Sequence, residues 1–81
     1  MKYDLLLKVF DEDLEKYVFI KLRNGVSGEN VLRHAIRCGF NPSDKFGVLP
    51  ITFFINVLDS SGNIVRRNDP LISRIENGEF K

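Results

Sequence analysis

His34 and Cys38 lie four residues apart in a stretch that predicts a helix, so their side chains project to similar sides. A thiolate beside an imidazole pairs a nucleophile with its base, which is the arrangement used in covalent catalysis. Such enzymes also need a group that orients the imidazole and donors that stabilise an oxyanion. The sequence offers neither a third orienting group nor a glycine-rich loop. It therefore predicts a packed thiol and a boundary histidine, and we expect no catalytic residue.

A cluster of carboxylates invites a metal-binding interpretation: Asp11, Glu12, Asp13 and Glu15. Calcium loops of the EF-hand type place oxygen ligands at fixed offsets around a central glycine. No glycine precedes Gly25, so these carboxylates predict a solvated turn. One cysteine and one histidine cannot complete a four-ligand zinc site, and a lone cysteine cannot form an internal disulfide. We expect no bound metal.

Gly25 and Gly28 precede the predicted helix, and a helix N-terminus can hold a phosphate. Neither the dinucleotide fingerprint nor the Gly-Lys-Ser/Thr of a P-loop follows them. Nucleotide binding is therefore not predicted, and we expect no cofactor. The chain as a whole is predicted not to be an enzyme.

Length and composition point to one small soluble domain. The 81 residues are 43% hydrophobic and 28% charged, with a net charge of +1, so residues 1–81 are predicted to form one domain. Asp4 and Lys8 interrupt the first apolar run, so no secretory signal or membrane span is predicted and we expect a cytoplasmic protein. The near balance of charge argues weakly against binding nucleic acid mainly through phosphates.

The N-terminal third predicts a β-hairpin. Residues 3–10 and 16–23 are two runs rich in β-branched and aromatic residues, joined by a short acidic connection. Asn24 and Gly25 then predict a turn, because both tolerate a left-handed backbone.

A helix is predicted to follow this turn, with Ser27 as its N-cap and Gly39 just beyond its end. Its apolar stripe covers one face of the sheet and contains Val31, Leu32, Ala35, Ile36 and Cys38.

A second hairpin is predicted after a long connection over residues 40–50, which Phe40 and Phe46 are expected to pin to the core. Residues 51–58 predict a third strand. After an Asp-Ser-Ser-Gly-Asn turn, residues 64–67 predict a short edge strand.

The C-terminal segment reads either as a short helix or as a brief extension. Asn68 or Asp69 as a cap, Pro70 at the first helical position and Gly78 after the end favour the helix. The predicted fold class is therefore α+β, with the order ββαββ, a mixed sheet, one main helix and a short C-terminal helix or turn.

Large apolar side chains occupy both faces of the predicted strands, although one good helix is available to cover them. A half-buried strand normally places polar residues on its outer face. We call the face away from the main helix the second face, and its predicted binding residues are Leu6, Phe10, Tyr17, Phe19, Phe54 and Leu58. Four alternatives remain for what covers the second face: the C-terminal segment, a protein partner, a second copy of the chain, or unstacked bases.

The order of elements resembles the β-grasp, or ubiquitin-like, superfamily. The resemblance rests on residues 22–27 followed by Val31 and Leu32, and on residues 62–65 leading through Leu71 to residues 75–78. It implies a protein-binding module that uses its sheet surface. Conjugated members end in Gly-Gly, whereas this chain ends in Glu-Phe-Lys, so no activation of the C-terminus is expected.

Two functions from different classes follow from the second face. The first is a non-catalytic protein-interaction module, either a homodimer or an inhibitor of a larger host protein in the style of phage and mobile-element proteins. The alternative is single-stranded nucleic-acid binding, in which the aromatic rings stack on bases beside cations. The basic residues available for the alternative are Arg33, Arg37, Arg66 and Arg67.

Overall fold

The computed structural model describes residues 1–41 and 52–80. Its elements are β1 (Lys2–Asp11), β2 (Lys16–Ser27), α1 (Gly28–Arg37), β3 (Phe53–Leu58), β4 (Ile64–Pro70) and α2 (Leu71–Glu76). The predicted order ββαββ is confirmed, with one main helix and a short C-terminal helix.

The four strands form one sheet in the order β2-β1-β3-β4. A mixed sheet was predicted, but all three pairings of these strands are antiparallel. The difference arises because α1 lies in the connection from β2 to β3. That connection lets β2 and β3 run in the same direction on either side of β1, so no two adjacent strands are parallel.

The core lies on the face of the sheet that α1 covers, which we call the first face. Its buried residues come from β1, β3, both helices and the segment just after α1: Tyr3, Leu5, Val31, Ala35, Phe40, Phe53, Ile55, Val57 and Leu71. Alternation along β1 and β3 places every second residue on this face. Within the predicted stripe of α1, Ile36 is 48% exposed and lies outside the core.

Helix α2 also packs on the first face. Leu71 is fully buried in the core, Ile72 and Ile75 pack against it, and the ring of Phe80 meets Tyr3 edge-on with 5.1 Å between centroids. The interpretation of the C-terminal segment as a cover for the second face is therefore wrong. The apolar side of α2 instead extends the layer formed by α1.

Two ion pairs fasten this C-terminal segment. The Arg74 guanidinium donates to Asp69 and, at 2.8 Å, to Glu79, which raises the pKa of Arg74. Burial of Tyr3, assisted by the negative charge of Glu79 and a hydrogen bond to it, raises the pKa of the Tyr3 hydroxyl. The end of the chain is thus tied both to β4 and to β1.

The turn predicted at Asn24 and Gly25 is instead an irregularity within β2. Pairing with β1 continues past it, with Tyr3 opposite Val26. Gly25 has the left-handed φ expected of a turn glycine, +64°. Here that conformation makes a β-bulge, which bends the strand without ending it. Ser27 occupies the predicted N-cap position, although its side chain makes no capping hydrogen bond.

Strand β4 is longer than predicted and runs through Pro70, which serves as the N-cap position of α2. Asn68 has a φ of +56° and lies at a second bulge, where the pairing with β3 shifts register. Phe40 is buried against Phe53 as predicted, with 5.4 Å between ring centroids. The predicted anchor Phe46 lies outside the described residues.

A carboxylate is buried on the second face, at the base of the β1–β2 hairpin. Asp4 is 2% exposed. Its Oδ1 accepts the Gly25 amide at 3.0 Å, and its Oδ2 accepts the side-chain amide of Asn56 at 3.2 Å and lies 3.4 Å from the Lys21 ammonium. The carboxylate thus holds the bulge of β2 in place and links β2 to β3.

Asn56 extends this arrangement to the other edge of the sheet. Its Oδ1 accepts the backbone amide of Asn68 at 3.0 Å, so it fixes the bulge of β4. Side chains and amides from all four strands therefore form one connected set, which we call the polar chain: Lys21, Asp4, Gly25, Asn56 and Asn68. Buried polar groups that are fully paired in this way specify strand register.

We expect Asp4→Asn to lower the free energy of unfolding by about 1–3 kcal/mol, although the side chains have the same shape. The new amide would direct its N–H groups toward the donors of Asn56 and Lys21 and leave donors facing each other. Urea unfolding measures the change, with the exposed Asp13→Asn as the matched control. An unchanged midpoint for Asp4→Asn would contradict the structural role of the polar chain.

Candidate protein-binding surface

All six predicted binding residues lie on the second face. Strand pairing places Leu6 opposite Phe54 and Phe10 opposite Tyr17, and residues directly opposite each other share a face. Phe19 lies opposite Lys8, which alternates with Leu6 and Phe10 along β1. The alternation predicted for these strands therefore holds across the sheet.

The six residues divide into a buried group and an exposed group. Leu6, Phe54 and Leu58 are each less than 10% exposed, so they contribute to stability and not to an open surface. The remaining three are open, with Phe10 52%, Tyr17 62% and Phe19 39% exposed. We call these three the aromatic patch.

Contacts between rings hold the aromatic patch in a defined arrangement. Phe10 and Tyr17 meet edge-on with 5.2 Å between centroids, and Phe19 meets the buried ring of Phe54 at 5.1 Å. Edge-on packing of this kind stabilises a pair by about 0.5–1.5 kcal/mol. The exposed rings are thereby connected to the core of the sheet and ordered before any partner arrives.

Lysine side chains flank the aromatic patch. The Lys8 ammonium lies 4.9 Å from the centroid of the Tyr17 ring and 5.8 Å from that of Phe54, within the range of a cation–π interaction. Lys21 is half exposed, with its ammonium beside Asp4. The patch is therefore bordered by positive charge on the side of the polar chain.

The aromatic patch lies where the hairpin extends beyond β3. Paired residues of β1 and β3 end at Leu7 and Phe53, followed by one hydrogen bond from the Lys8 amide to the Thr52 carbonyl. Beyond that point, the described residues of β1 pair only with β2, as far as Asp11 and Lys16. The patch is thus carried on the outer part of the hairpin.

The acidic turn, residues 11–15, closes this hairpin beyond the patch. The Asp11 carboxylate accepts the backbone amides of Asp13 at 2.9 Å and Leu14 at 3.1 Å, which gives the turn its shape. Glu12 and Asp13 are exposed. The turn is net negative even with Lys16 opposite Asp11.

The structure does not join the predicted basic residues to the aromatic patch. Arg33 and Arg37 are exposed on α1, which covers the first face. Arg66 lies opposite Val57, a first-face residue, and lines a cleft of about 390 Å³ beside α2. Arg67 is exposed on β4, at the edge of the sheet farthest from β2. The cations beside the patch are lysines instead.

His34 and Cys38 both lie against the first face. Cys38 is partly buried and packs against the core, and His34 Nδ1 is buried with no hydrogen-bond partner among the described residues. Residues 1–41 and 52–80 contain no group of three or more His, Cys, Asp or Glu that could hold a metal ion. The described helices include none that is both long enough and apolar enough to cross a bilayer.

Sequence reasoning missed the polar chain, whose members are far apart in sequence. The signal was present in Asp4 and Asn56, each of which interrupts the apolar pattern of a central strand. A polar residue at such a position needs partners, because an unpaired buried carboxylate is costly. Gly25 and Asn68, whose residue types tolerate the left-handed backbone of a bulge, are where such partners are found.

Comparisons of the chain with protein-family models, curated proteins and solved structures find no match. The resemblance to β-grasp domains therefore rests on the order of the elements alone, because the wholly antiparallel sheet departs from the mixed sheet on which the resemblance was also based.

Replacing Tyr17 and replacing Phe54 should have different consequences for stability. We expect Tyr17→Ser to lower the free energy of unfolding by about 1 kcal/mol or less, because the ring is largely exposed. Phe54→Ala should cost about 3–5 kcal/mol, because it removes a buried ring. Urea unfolding of the two variants provides the comparison. Equal losses would show that Tyr17 belongs to the core and is not held ready for a partner.

Proposed function

We propose that this protein is a non-catalytic protein-interaction module that binds through the aromatic patch. The observation that carries the proposal is the exposure of three adjacent aromatic rings at the outer part of a hairpin. Aromatic residues are enriched at the energetic centres of protein interfaces, because they bury a large area while losing few rotatable bonds.

The size of the aromatic patch suits the centre of an interface. An aromatic side chain buries about 200 Å² on full burial, so the exposed fractions of Phe10, Tyr17 and Phe19 leave on the order of 300 Å² open. A typical stable interface covers about 800 Å² per partner. The surrounding lysines and the acidic turn supply a polar rim around this apolar centre, as interfaces normally have.

The order of the elements, which resembles that of β-grasp domains, is compatible with a module that binds proteins through its sheet surface. The structure adds a reason for the location. Leu6, Phe54 and Leu58 are already buried, so a partner is offered only the outer part of the second face. Binding there leaves the polar chain undisturbed.

Single-stranded nucleic acid is the second candidate partner, favoured by the Lys8 ammonium beside the Tyr17 ring. Bases stack on exposed rings, and cations nearby contact the phosphates. Against it, the four predicted arginines lie away from the patch. Protein binding is therefore preferred.

The test immobilises the protein and compares what it retains from a cell lysate to which a tagged second copy of the same chain has been added. Tyr17→Asp places a charge in the aromatic patch, and Ile36→Asp is the matched control, because Ile36 is similarly exposed on α1. We expect proteins that the wild type and the control retain and that Tyr17→Asp loses. Identical retention by all three would contradict the proposal. Retained material that nuclease treatment removes would favour the second candidate.

A further inference from the structure

Charge is distributed unevenly along the β1–β2 hairpin. The charged residues that β1 and β2 place on the second face, up to the bulge of β2, are Lys2, Lys8, Lys21 and Asp4. The one acid among them, Asp4, is buried and paired with Lys21. Lys2 and the Lys21–Asp4 pair lie toward the base, Lys8 lies beside the aromatic patch opposite Phe19, and the net negative acidic turn lies beyond it. The second face of the hairpin therefore changes from net positive to net negative toward its end.

This order is complementary to itself when reversed. If two hairpins stack with their second faces together and their directions opposed, the acidic turn of each copy meets the lysines of the other. The aromatic patches then meet in the middle. A two-fold axis generates both charge contacts at once, because each contact in such an interface occurs twice.

Other partners match this surface less completely. An acidic protein would pair with Lys8 but would leave the acidic turn facing like charge. A parallel stack of two copies would place acidic turn against acidic turn, which opposes association. The reversed second copy is the arrangement in which both charged ends and the apolar centre find partners.

We infer that the partner of the aromatic patch is a second copy of this chain, stacked with its hairpin in the opposite direction. This inference rests on the proposed function and names its partner. Two patches contribute about 600 Å² of apolar surface, and the charged rims bring the total toward the lower limit of about 1,200 Å² for stable interfaces. An interface at this lower limit is expected to dissociate on dilution.

The test reverses charge at one end of the hairpin at a time. Glu12→Lys with Asp13→Lys reverses the turn, where both side chains are exposed. Lys8→Glu reverses the face, and Lys8→Gln, which only removes the charge, is the second face variant should Lys8→Glu fail to fold. Lys21 is left unchanged, because it pairs with Asp4.

Sedimentation velocity across micromolar concentrations is expected to show a wild-type dimer and at least about tenfold weaker self-association of each reversed variant. Mixing the turn variant with the face variant should restore association as a heterodimer, because acid then faces lysine at one contact and lysine faces glutamate at the other. High salt should weaken the wild-type dimer.

Several outcomes would overturn the inference. A wild type that stays monomeric, a dimer that survives Tyr17→Asp, or reversed variants that gain nothing on mixing would each exclude the stacked arrangement. A monomeric wild type that still retains a protein through Tyr17 would overturn this inference alone and leave the proposed function standing. If neither self-association nor retention of another protein depended on Tyr17, both this inference and the proposed function would be wrong.

Discussion

The buried carboxylate of Asp4 is the constraint on which the rest of this sheet depends. It lies on a central strand, where an unpaired charge would be strongly destabilising. Its partners come from both neighbouring strands, and one of them is the amide of the positive-φ residue Gly25. Asn56 makes the equivalent contact with β4, because its Oδ1 accepts the backbone amide of Asn68. Both edge strands are thus positioned by side chains that project from the centre of the sheet.

This constraint also explains why the second face is not uniform. Around the polar chain, three apolar side chains are buried and contribute to stability: Leu6, Phe54 and Leu58. Beyond the last pairing of β1 with β3, the hairpin leaves the sheet and carries the aromatic patch with it. Since both helices pack on the first face, neither covers those rings. The surface available for binding follows from where the sheet ends.

Much of the architecture was predictable from local pattern. The alternation of apolar residues located the strands, and Ser27 and Gly39 marked the limits of α1 because backbone geometry at helix ends depends on nearby residues. The features that escaped prediction depend on distant ones. Asn24 and Gly25 have the composition of a turn, yet an acceptor 21 residues away in sequence keeps Gly25 within a strand.

The binding surface was predicted only in part, because the exposure of a side chain also depends on residues that are distant in sequence. Periodicity placed all six apolar residues on one face, but it cannot distinguish a closed residue from an open one. Phe54, in a central strand, is 6% exposed, whereas Tyr17, in the edge strand β2, is 62% exposed. The side on which α2 packs was equally inaccessible to sequence pattern, because an amphipathic helix fits either face of a sheet that is apolar on both.

Amide chemical shifts recorded over a dilution series test the central claim most directly, because each backbone amide reports on its own surroundings. The account predicts concentration-dependent shifts at Phe10, Tyr17, Phe19 and the acidic turn, with α1 unchanged. Shifts that stay constant over the series, or that concentrate on α1, would contradict the claim that the aromatic patch is the surface through which this protein binds a second copy.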